Sequence, residues 1–220
     1  MHNGKHHFKE IFAALHQAAA SFRQPAVTEI AEADHDPFKV LISCILSLRT
    51  RDETTAPAAL RLFRLADTPQ RMARLPVRLI REAIYPVGFY ITKAKRIKGI
   101  CGALLGKYRG KVPRDFEQLM GLKGVGRKTA NIVMVYGFHD EGLPIDTHCH
   151  RIPNRLGWVQ TKTPEETEQR LRAILPKRYW HDFNDLFVQF GQNICTPISP
   201  FCSRCPIRKH CRRVGVAVSR

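Results

Sequence analysis

Residues 116–134 have the sequence FEQLMGLKGVGRKTANIVM, which carries the most specific structural signal in the chain. Apolar residues at helical spacing flank a turn, Leu122-Lys123-Gly124-Val125-Gly126, whose two glycines permit positive φ and a close backbone approach. The pattern predicts a helix, a tight hairpin and a second helix. Amides at the start of the second helix would point toward an anion, and Arg127 and Lys128 follow directly. Such a helix–hairpin–helix holds a DNA phosphate through main-chain N–H groups, independently of base sequence.

This stretch has two other possible interpretations. Gly121 to Thr129 superficially resembles a nucleotide-binding P-loop, but Arg127 separates Gly126 from Lys128, and residues 116–120 look helical where that motif needs a strand. The sequence therefore argues against a P-loop. An ordinary helix–helix turn stays open on the glycines alone, and so does a plain phosphate contact for Lys128.

The rest of the chain has helical periodicity nearly throughout, so we expect an all-α fold. Asp36 and Pro37 are typical of a helix start, because aspartate caps well and proline suits the first turn. No alternating strand pattern, long repeat or low-complexity tract is present. The predicted helices cover residues 8–22, 52–64, 68–74, 77–84, 90–108, 114–120, 126–136, 146–156, 164–175 and 179–193, besides the one that begins at Asp36.

Charge indicates the kind of partner. The 220 residues include 36 Lys and Arg against 19 Asp and Glu, a net charge of +17, and no acidic residue follows Asp185. A domain this basic usually binds a polyanion, of which nucleic acid is the commonest. No apolar run reaches the roughly 20 residues that cross a bilayer. Met1 to Glu10 lacks a signal-peptide core, so we expect an intracellular protein with no membrane association.

Four of the seven cysteines stand close together near the end of the chain, with the spacing C-x6-C-x2-C-x5-C. They are Cys195, Cys202, Cys205 and Cys211. An intracellular chain keeps its thiols reduced, so metal ligation is a better explanation than disulfides. Zinc and iron–sulfur are both open at this point, although zinc sites more often have two C-x2-C pairs. We expect Cys44, Cys101 and Cys149 to be small buried or partly buried residues.

A second polar cluster follows a short loop. Asp146 precedes Thr147 and His148, and aspartate is a favoured helix cap. His148 and His150 flank Cys149, which could suggest a metal site, but no further ligand completes it. We therefore interpret His148 as a helix-start residue that supports the geometry of Asp146.

Taken together, Gly124-Val125-Gly126-Arg127-Lys128-Thr129-Ala130-Asn131, Asp146-Thr147-His148 and the four-cysteine loop resemble endonuclease III, the iron–sulfur branch of the helix–hairpin–helix DNA glycosylases. The resemblance runs from Phe38 to Cys211 in the family's order and spacing. It implies that Lys128 is the nucleophile and Asp146 the catalytic carboxylate. It also implies a [4Fe–4S] cluster held by the four clustered cysteines.

The resemblance further implies two helical lobes with a DNA-binding cleft between them. The six-helix lobe with the hairpin would span residues 31–138, and the cluster lobe would combine residues 1–30 with 139–220. DNA contacts are expected from Leu122, Gly124, Val125, Gly126 and Arg127 in the hairpin, and from His148 and Arg204 in the cluster lobe.

The chain departs from the family pattern at three positions. Lys123 replaces a hairpin proline, which should leave the turn less rigid and add a charge near phosphate. Arg49 aligns with a glutamine that fills the gap left by an extruded base, and Phe89 aligns with a leucine wedge. We expect both to contact DNA, although a loop aromatic packed on its neighbours is an equal alternative for Phe89.

The expected function is a bifunctional base-excision repair enzyme. It would remove oxidised pyrimidines such as thymine glycol by attack of Lys128 at C1′ and cleave the abasic strand by β-elimination. Its partner would be double-stranded DNA with a damaged base or abasic site, bound by a monomer in the cytoplasm at the nucleoid. The alternatives are a mismatch-specific thymine or adenine glycosylase and a non-enzymatic, metal-stapled DNA-binding module.

Overall fold

The computed structural model describes residues 6–220, and every regular element among them is helical. The α-helices are α1 (Phe8–Ala19), α2 (Ala26–Asp34), α3 (Pro37–Ser47), α4 (Asp52–Leu65), α5 (Pro69–Arg74), α6 (Val77–Ile84), α7 (Tyr90–Tyr108), α8 (Phe116–Met120), α9 (Arg127–Ile132), α10 (Thr147–Leu156), α11 (Pro164–Ile174) and α12 (Trp180–Asn193). A π-helical turn, Val133–Gly137, continues α9, and short 3₁₀ turns cover Lys177–Tyr179, Cys202–Arg204 and Arg208–His210. The predicted all-α fold is confirmed.

Helix starts follow the local chemistry of the sequence. The Asp36 side chain accepts a hydrogen bond from the Phe38 amide at 2.8 Å, and Pro37 occupies the first turn of α3. Thr68 and Thr163 cap α5 and α11 in the same way, each with a proline directly after it. These side chains satisfy amides that have no partner within the helix, so the boundaries are set by single residues.

The chain forms two compact units. The hairpin unit is Pro25–Gly142, and the terminal unit combines residues 6–24 with Leu143–Arg220. Residues 1–5, which the predicted cluster lobe includes, lie outside the described residues. The predicted division into two functional lobes with a cleft between them stays a prediction.

The hairpin unit is built around α3. Its side chains at Val40, Leu41, Ile42, Ile45 and Leu46 are fully buried. Helices α2, α4, α7 and α9 and the π-helical turn all pack against α3. A helix surrounded on all sides is apolar all round, which explains why this segment is the most apolar in the chain.

The terminal unit joins the two ends of the chain. Helix α1 packs on α12, and α12 packs on α10. The rings of Phe183 and Phe187 stack with their centroids 4.2 Å apart, and Phe12 lies against both. Large aromatic side chains bury much apolar surface, so they anchor α1 on α12 although the whole hairpin unit separates the two helices in sequence.

Two helices differ from the prediction. Helix α1 ends at Ala19 rather than at residue 22. After Ala19 the hydrogen bonds join residues three positions apart, as from the Phe22 N–H to the Ala19 carbonyl, and Pro25 follows. Helix α2 was not predicted. The predicted start of the six-helix lobe at residue 31 falls inside this helix. Its buried Val27, Ile30 and Ala31 have helical spacing, but the segment is short and rich in alanine. None of the described helices has both the length and the apolar composition needed to span a membrane.

Candidate active site and cysteine-rich loop

The predicted hairpin is present between α8 and α9. Gly124 has a φ of +91°, and a β-carbon there would lie 2.4 Å from Cδ of Arg96. Val125 donates its amide to the Leu122 carbonyl at 2.9 Å, which closes the turn. The positive φ is what favours glycine at position 124, because the nearby Arg96 side chain is flexible.

The hairpin buries its side chains and exposes its backbone. Leu122 and Val125 are only 2% and 6% exposed and belong to the core of the unit. Lys123, Gly124 and Gly126 are exposed. A main-chain anion site needs this combination, because anchored side chains keep the amides in one orientation.

Arg127 and Lys128 occupy the first turn of α9 and are half-buried. The Arg127 guanidinium lies 4.9 Å from the centroid of the Phe116 ring, which fixes it by a cation–π contact. Burial raises the pKa of the Cys44 thiol to about 12, and the nearby Lys128 ammonium acts in the opposite direction. Lys128 therefore lies within electrostatic range of Cys44 on α3.

Asp146 caps α10 in the terminal unit. Its Oδ1 accepts hydrogen bonds from the amides of His148 and Cys149, each at 2.8 Å. The carboxylate is half-buried and is fixed at the positive end of a ten-residue helix. The structure thus places Asp146 in the terminal unit and Lys128 in the hairpin unit.

The two histidines after Asp146 make separate contacts. The Nδ1 of His148 lies 3.1 Å from Nη2 of Arg151, and its ring packs against Gly191 of α12. The Nδ1 of His150 lies 2.6 Å from Oγ1 of Thr167. In the part of the chain that the structure describes, no three His, Cys, Asp or Glu side chains are grouped as a single bound metal ion requires.

The four clustered cysteines line one pocket of the terminal unit. Its wall also contains apolar side chains of α10, α12 and the loop, including Ile152, Leu156, Phe190 and Ile207. The cysteines are neither fully buried nor exposed, whereas Cys44, Cys101 and Cys149 are buried as predicted. All four predicted ligands therefore line the same pocket, and the other described side chains of its wall are apolar or arginine.

The surroundings of these thiols favour the binding of a positively charged metal. Burial, opposed by a hydrogen bond from the Ile207 backbone and reinforced by the charges of Cys211, Cys195 and Cys202, raises the pKa of the Cys205 thiol to about 11. Nη1 of Arg155 donates to the sulfur of Cys195 at 3.3 Å. Burial and mutual repulsion oppose four free thiolates, so cationic iron would offset both effects.

Arg49 and Phe89 lie side by side in the hairpin unit. The Arg49 guanidinium is 4.9 Å from the centroid of the Phe89 ring, and Phe89 is 58% exposed. Both residues have positive φ, 55° and 58° respectively. Neither is glycine, so surrounding contacts must hold this backbone in place.

Arg204 is stacked rather than extended. Its guanidinium lies 4.0 Å from the centroid of the Phe201 ring, and that of Arg220 lies at the same distance. Ser203 donates its amide to the Arg220 carbonyl at 2.9 Å. These contacts tie the end of the chain to the cysteine-rich loop, with Arg204 exposed.

The comparisons with known proteins identify the family. Residues 42–177 match the model of the HhH-GPD superfamily of base excision DNA repair proteins. The chain is similar to endonuclease III of Thermotoga maritima, with 49% identity over 176 residues, covering 80% of this chain and 83% of that protein. The chain belongs to the endonuclease III family. The predicted enzyme class, a base-excision repair DNA glycosylase and lyase, is confirmed by this membership.

Solved structures of the endonuclease III family have the same fold. A non-covalent endonuclease III–DNA complex is similar with a TM-score of 0.80 and 32% identity, covering 93% of this chain and 95% of that one. A trapped endonuclease III–DNA covalent intermediate is similar with a TM-score of 0.78 and 33% identity, at the same coverage. The roles of individual residues remain predictions.

Three basic residues around these sites were missed in the sequence. Lys93 is buried in α7, and Arg151 and Arg155 of α10 donate to the backbone of the cysteine-rich loop. A signal existed for Lys93, because it shares the helix face of the apolar Ala94, Ile97 and Cys101. A basic residue on the apolar face of a helix indicates that its charged group has hydrogen-bond acceptors in the protein interior.

Proposed function

We propose that this protein removes oxidised pyrimidines such as thymine glycol from double-stranded DNA and then cleaves the abasic strand. The covalent endonuclease III–DNA intermediate is the observation that carries the proposal, because a similar protein forms a bond to DNA. A covalent route needs a nucleophile, and Lys128 after the hairpin is the candidate. The enzyme would act as a monomer at the nucleoid.

DNA would be held first by the hairpin. The exposed backbone of Gly124 and Gly126 offers N–H groups to a phosphate, with Leu122 and Val125 as the buried anchors. The net charge of +17 adds a sequence-independent attraction that falls with salt. Arg127, His148 and Arg204 would make further DNA contacts, Arg204 from the cysteine-rich loop.

The damaged nucleotide would next leave the base stack. Extrusion costs a few kcal/mol, least for a base whose stacking is already weakened by damage. Phe89, more than half exposed, is the candidate wedge, and Arg49 beside it is the candidate filler of the vacated space. Their contact means that the two side chains would enter the duplex as one unit.

Glycosidic bond cleavage would then use Lys128 and Asp146. The neutral amine of Lys128 attacks C1′, the bond from C1′ to the base nitrogen breaks, and the base leaves with a proton. Positive charge develops on the sugar, and the Asp146 carboxylate stabilises it electrostatically. The two backbone bonds to Oδ1 of Asp146 would hold the carboxylate in one orientation without a cost during the reaction.

Strand cleavage follows from the choice of an amine. Ring opening of the sugar gives an imine between C1′ and the nitrogen of Lys128. Removal of a proton from C2′ then allows the C3′–O bond to break, which releases the 3′ phosphate. Water as the nucleophile would form no imine, so a lysine predicts both glycosylase and lyase activity.

The four clustered cysteines would hold a [4Fe–4S] cluster. The donor set fits, because all four line one pocket with apolar walls, and the sulfurs of Cys195 and Cys211 accept N–H bonds from Arg155 and Arg213. The cluster would supply a rigid cross-link for the loop rather than a reacting centre. Arg204 in the same loop would thereby be held toward DNA.

Borohydride trapping tests the proposal. The protein is mixed with duplex DNA containing thymine glycol or an abasic site, and reduction of the imine links it covalently to the DNA. We expect trapping with the wild type and with Lys123→Gln, which removes a charge from the same hairpin, but none with Lys128→Gln. DNA binding by Lys128→Gln without trapping supports the nucleophile; trapping that survives in this variant would overturn it.

A substrate panel tests the specificity. Single-lesion duplexes with thymine glycol, a thymine–guanine mismatch and adenine opposite 8-oxoguanine are compared under single turnover. Preferred release of thymine glycol supports the proposal, and preferred release from either mispair would make the protein a mismatch glycosylase. Tight binding with no product from any duplex would leave a DNA-binding module.

A further inference from the structure

A buried lysine lies directly beneath the Arg49–Phe89 pair. Lys93, in the first turn of α7, is only 3% exposed. Its Nζ donates to the carbonyls of Leu46 and Leu48 and, at 3.0 Å, to Oγ1 of Thr50. An ammonium group has three protons, and all three are used.

Thr50 connects this lysine to the second loop. The Gly88 amide donates to Oγ1 of Thr50 at 3.1 Å. The approach is close enough that a β-carbon on Gly88 would lie 2.7 Å from the Arg49 carbonyl oxygen. The loop with Arg49 and the loop with Phe89 are thus joined through one hydroxyl group, and Lys93 fixes that hydroxyl from below.

The geometry of the pair depends on such support. Arg49 and Phe89 both have left-handed backbone, a conformation that persists in non-glycine residues only where surrounding contacts over-determine it. Their side chains lie on the exposed side of the same two loops. Any shift of Leu48 or Gly88 would therefore move the guanidinium relative to the ring.

The burial of Lys93 is favourable only if its ammonium group is fully hydrogen-bonded. Desolvation, reinforced by the charge of Arg96, lowers the pKa of Lys93 to about 8. A buried cation is tolerated only where its donors are matched by acceptors, and here the acceptors are the last carbonyls of α3 and the loop after it. The hydrogen bonds that offset the burial of Lys93 therefore form only in one conformation of the Leu46–Thr50 segment.

We propose that Lys93 is a positioning residue that holds Arg49 and Phe89 in the arrangement needed to extrude a base from duplex DNA. This inference rests on the proposed function, in which Arg49 fills the vacated space and Phe89 acts as the wedge. Lys93 itself is buried and touches no DNA. Its effect is confined to steps that need an intact duplex to be opened.

Lys93→Met is the first test, since it keeps the length of the side chain and removes all three donors. Excision of thymine glycol from a duplex is compared with cleavage of a preformed abasic site in single-stranded DNA, which needs no extrusion. We expect duplex excision to fall by about tenfold or more, with single-strand cleavage within about twofold of wild type. Fluorescence of 2-aminopurine opposite the lesion should rise less on binding.

Lys98→Met is the matched control. Lys98 lies on the same helix and also donates to two carbonyls, those of Ala73 and Leu75, but it holds a different loop. We expect it to affect duplex excision and single-strand cleavage equally. Equal loss of both activities in Lys93→Met, or the same selective loss in Lys98→Met, would overturn the inference.

Thr50 provides a second test should Lys93→Met fail to fold. Thr50→Val removes the hydroxyl that joins the two loops and keeps its shape, whereas Thr50→Ser retains the hydroxyl. We expect the selective loss of duplex excision in the valine variant and its rescue in the serine variant. Identical behaviour of the two variants would contradict the role of this hydrogen-bond network.

Two further variants separate this inference from the proposed function. Arg49→Ala and Phe89→Ala should each reduce duplex excision selectively. With neither effect, the proposed roles of the pair fail. If both variants show this loss but Lys93→Met excises like the wild type, the proposed roles of Arg49 and Phe89 are supported and the proposed role of Lys93 is wrong.

Discussion

The guanidinium of Arg155 donates a hydrogen bond of 3.3 Å to the sulfur of Cys195. Its Nη1 also donates to the Thr196 carbonyl at 2.7 Å, and the Arg155 carbonyl accepts the amide of Val214 at 3.0 Å. The Arg155 side chain therefore binds the start of the cysteine-rich loop, and its backbone carbonyl binds the chain after Cys211. Hydrogen bonds from a charged donor to buried acceptors are among the stronger ones in proteins.

Arg155→Met should weaken both the loop and the retention of iron. Loss of the charged donor removes its hydrogen bonds to the partly buried carbonyls of Thr196 and Pro197, which we expect to lower the free energy of unfolding by about 2–3 kcal/mol. Iron content and the decay of visible absorbance in air measure retention. Cys205→Ser, which removes a proposed ligand, should be colourless and unstable, and exposed Arg170→Met should behave like wild type. A brown, air-stable Arg155→Met would contradict the importance of this contact.

Replacement of Asp146 separates helix capping from chemistry. Asparagine caps a helix about as well as aspartate, so Asp146→Asn should keep its stability and its affinity for DNA but lose most turnover, because the carboxylate charge is gone. Asp146→Ala loses the cap as well and should be less stable by about 1 kcal/mol. Thermal unfolding and single-turnover excision are measured for both. Wild-type turnover in Asp146→Asn would remove the carboxylate from the mechanism.

The two hairpin glycines should respond differently to alanine. Gly124 has positive φ and lies against Arg96, so Gly124→Ala should lose about 1–2 kcal/mol of stability together with DNA affinity. Gly126 has a φ of −103° and open space where a β-carbon would lie, so Gly126→Ala should keep its stability. Its added methyl group would still obstruct a phosphate and weaken DNA binding. Calorimetry and salt-dependent DNA titrations measure the two quantities, and an unchanged affinity in both variants would argue against hairpin contact with DNA.

The buried lysine predicts a pH dependence of stability. Burial lowers the pKa of Lys93 from its ordinary value of 10.5 to about 8, so between these values the unfolded chain holds a proton that the folded chain has released. Stability rises with pH wherever the unfolded state binds more protons. The unfolding free energy of wild type relative to Lys93→Met should therefore increase from pH 8 to 10.5. Urea titrations followed by circular dichroism measure it; a constant or falling difference would mean that the amine is not buried as described.

Much of the fold follows from local sequence. Helix starts at Asp36, Thr68 and Thr163 depend on a capping side chain and the proline after it, so they are visible without tertiary contacts. The hairpin is equally local, because positive φ at Gly124 is a property of the residue itself. Helix α2 is different, because it is short and depends on tertiary packing for its stability. Its apolar Val27 and Ile30 are buried, and the helix packs against α3.

Residue types and their spacing are enough to predict the helical class, the hairpin with Lys128 after it, the cap at Asp146 and the set of four cysteines. Each depends on residue type and spacing over a few positions, which is the range of capping, turn and ligand chemistry. The packing of distant segments is needed to show that Lys93 lies beneath Arg49 and Phe89 and that Arg155 contacts Cys195, 40 residues later. A long basic side chain reads as solvent-exposed in sequence, and it becomes a buried anchor only when packing brings distant carbonyls and sulfur to its donors.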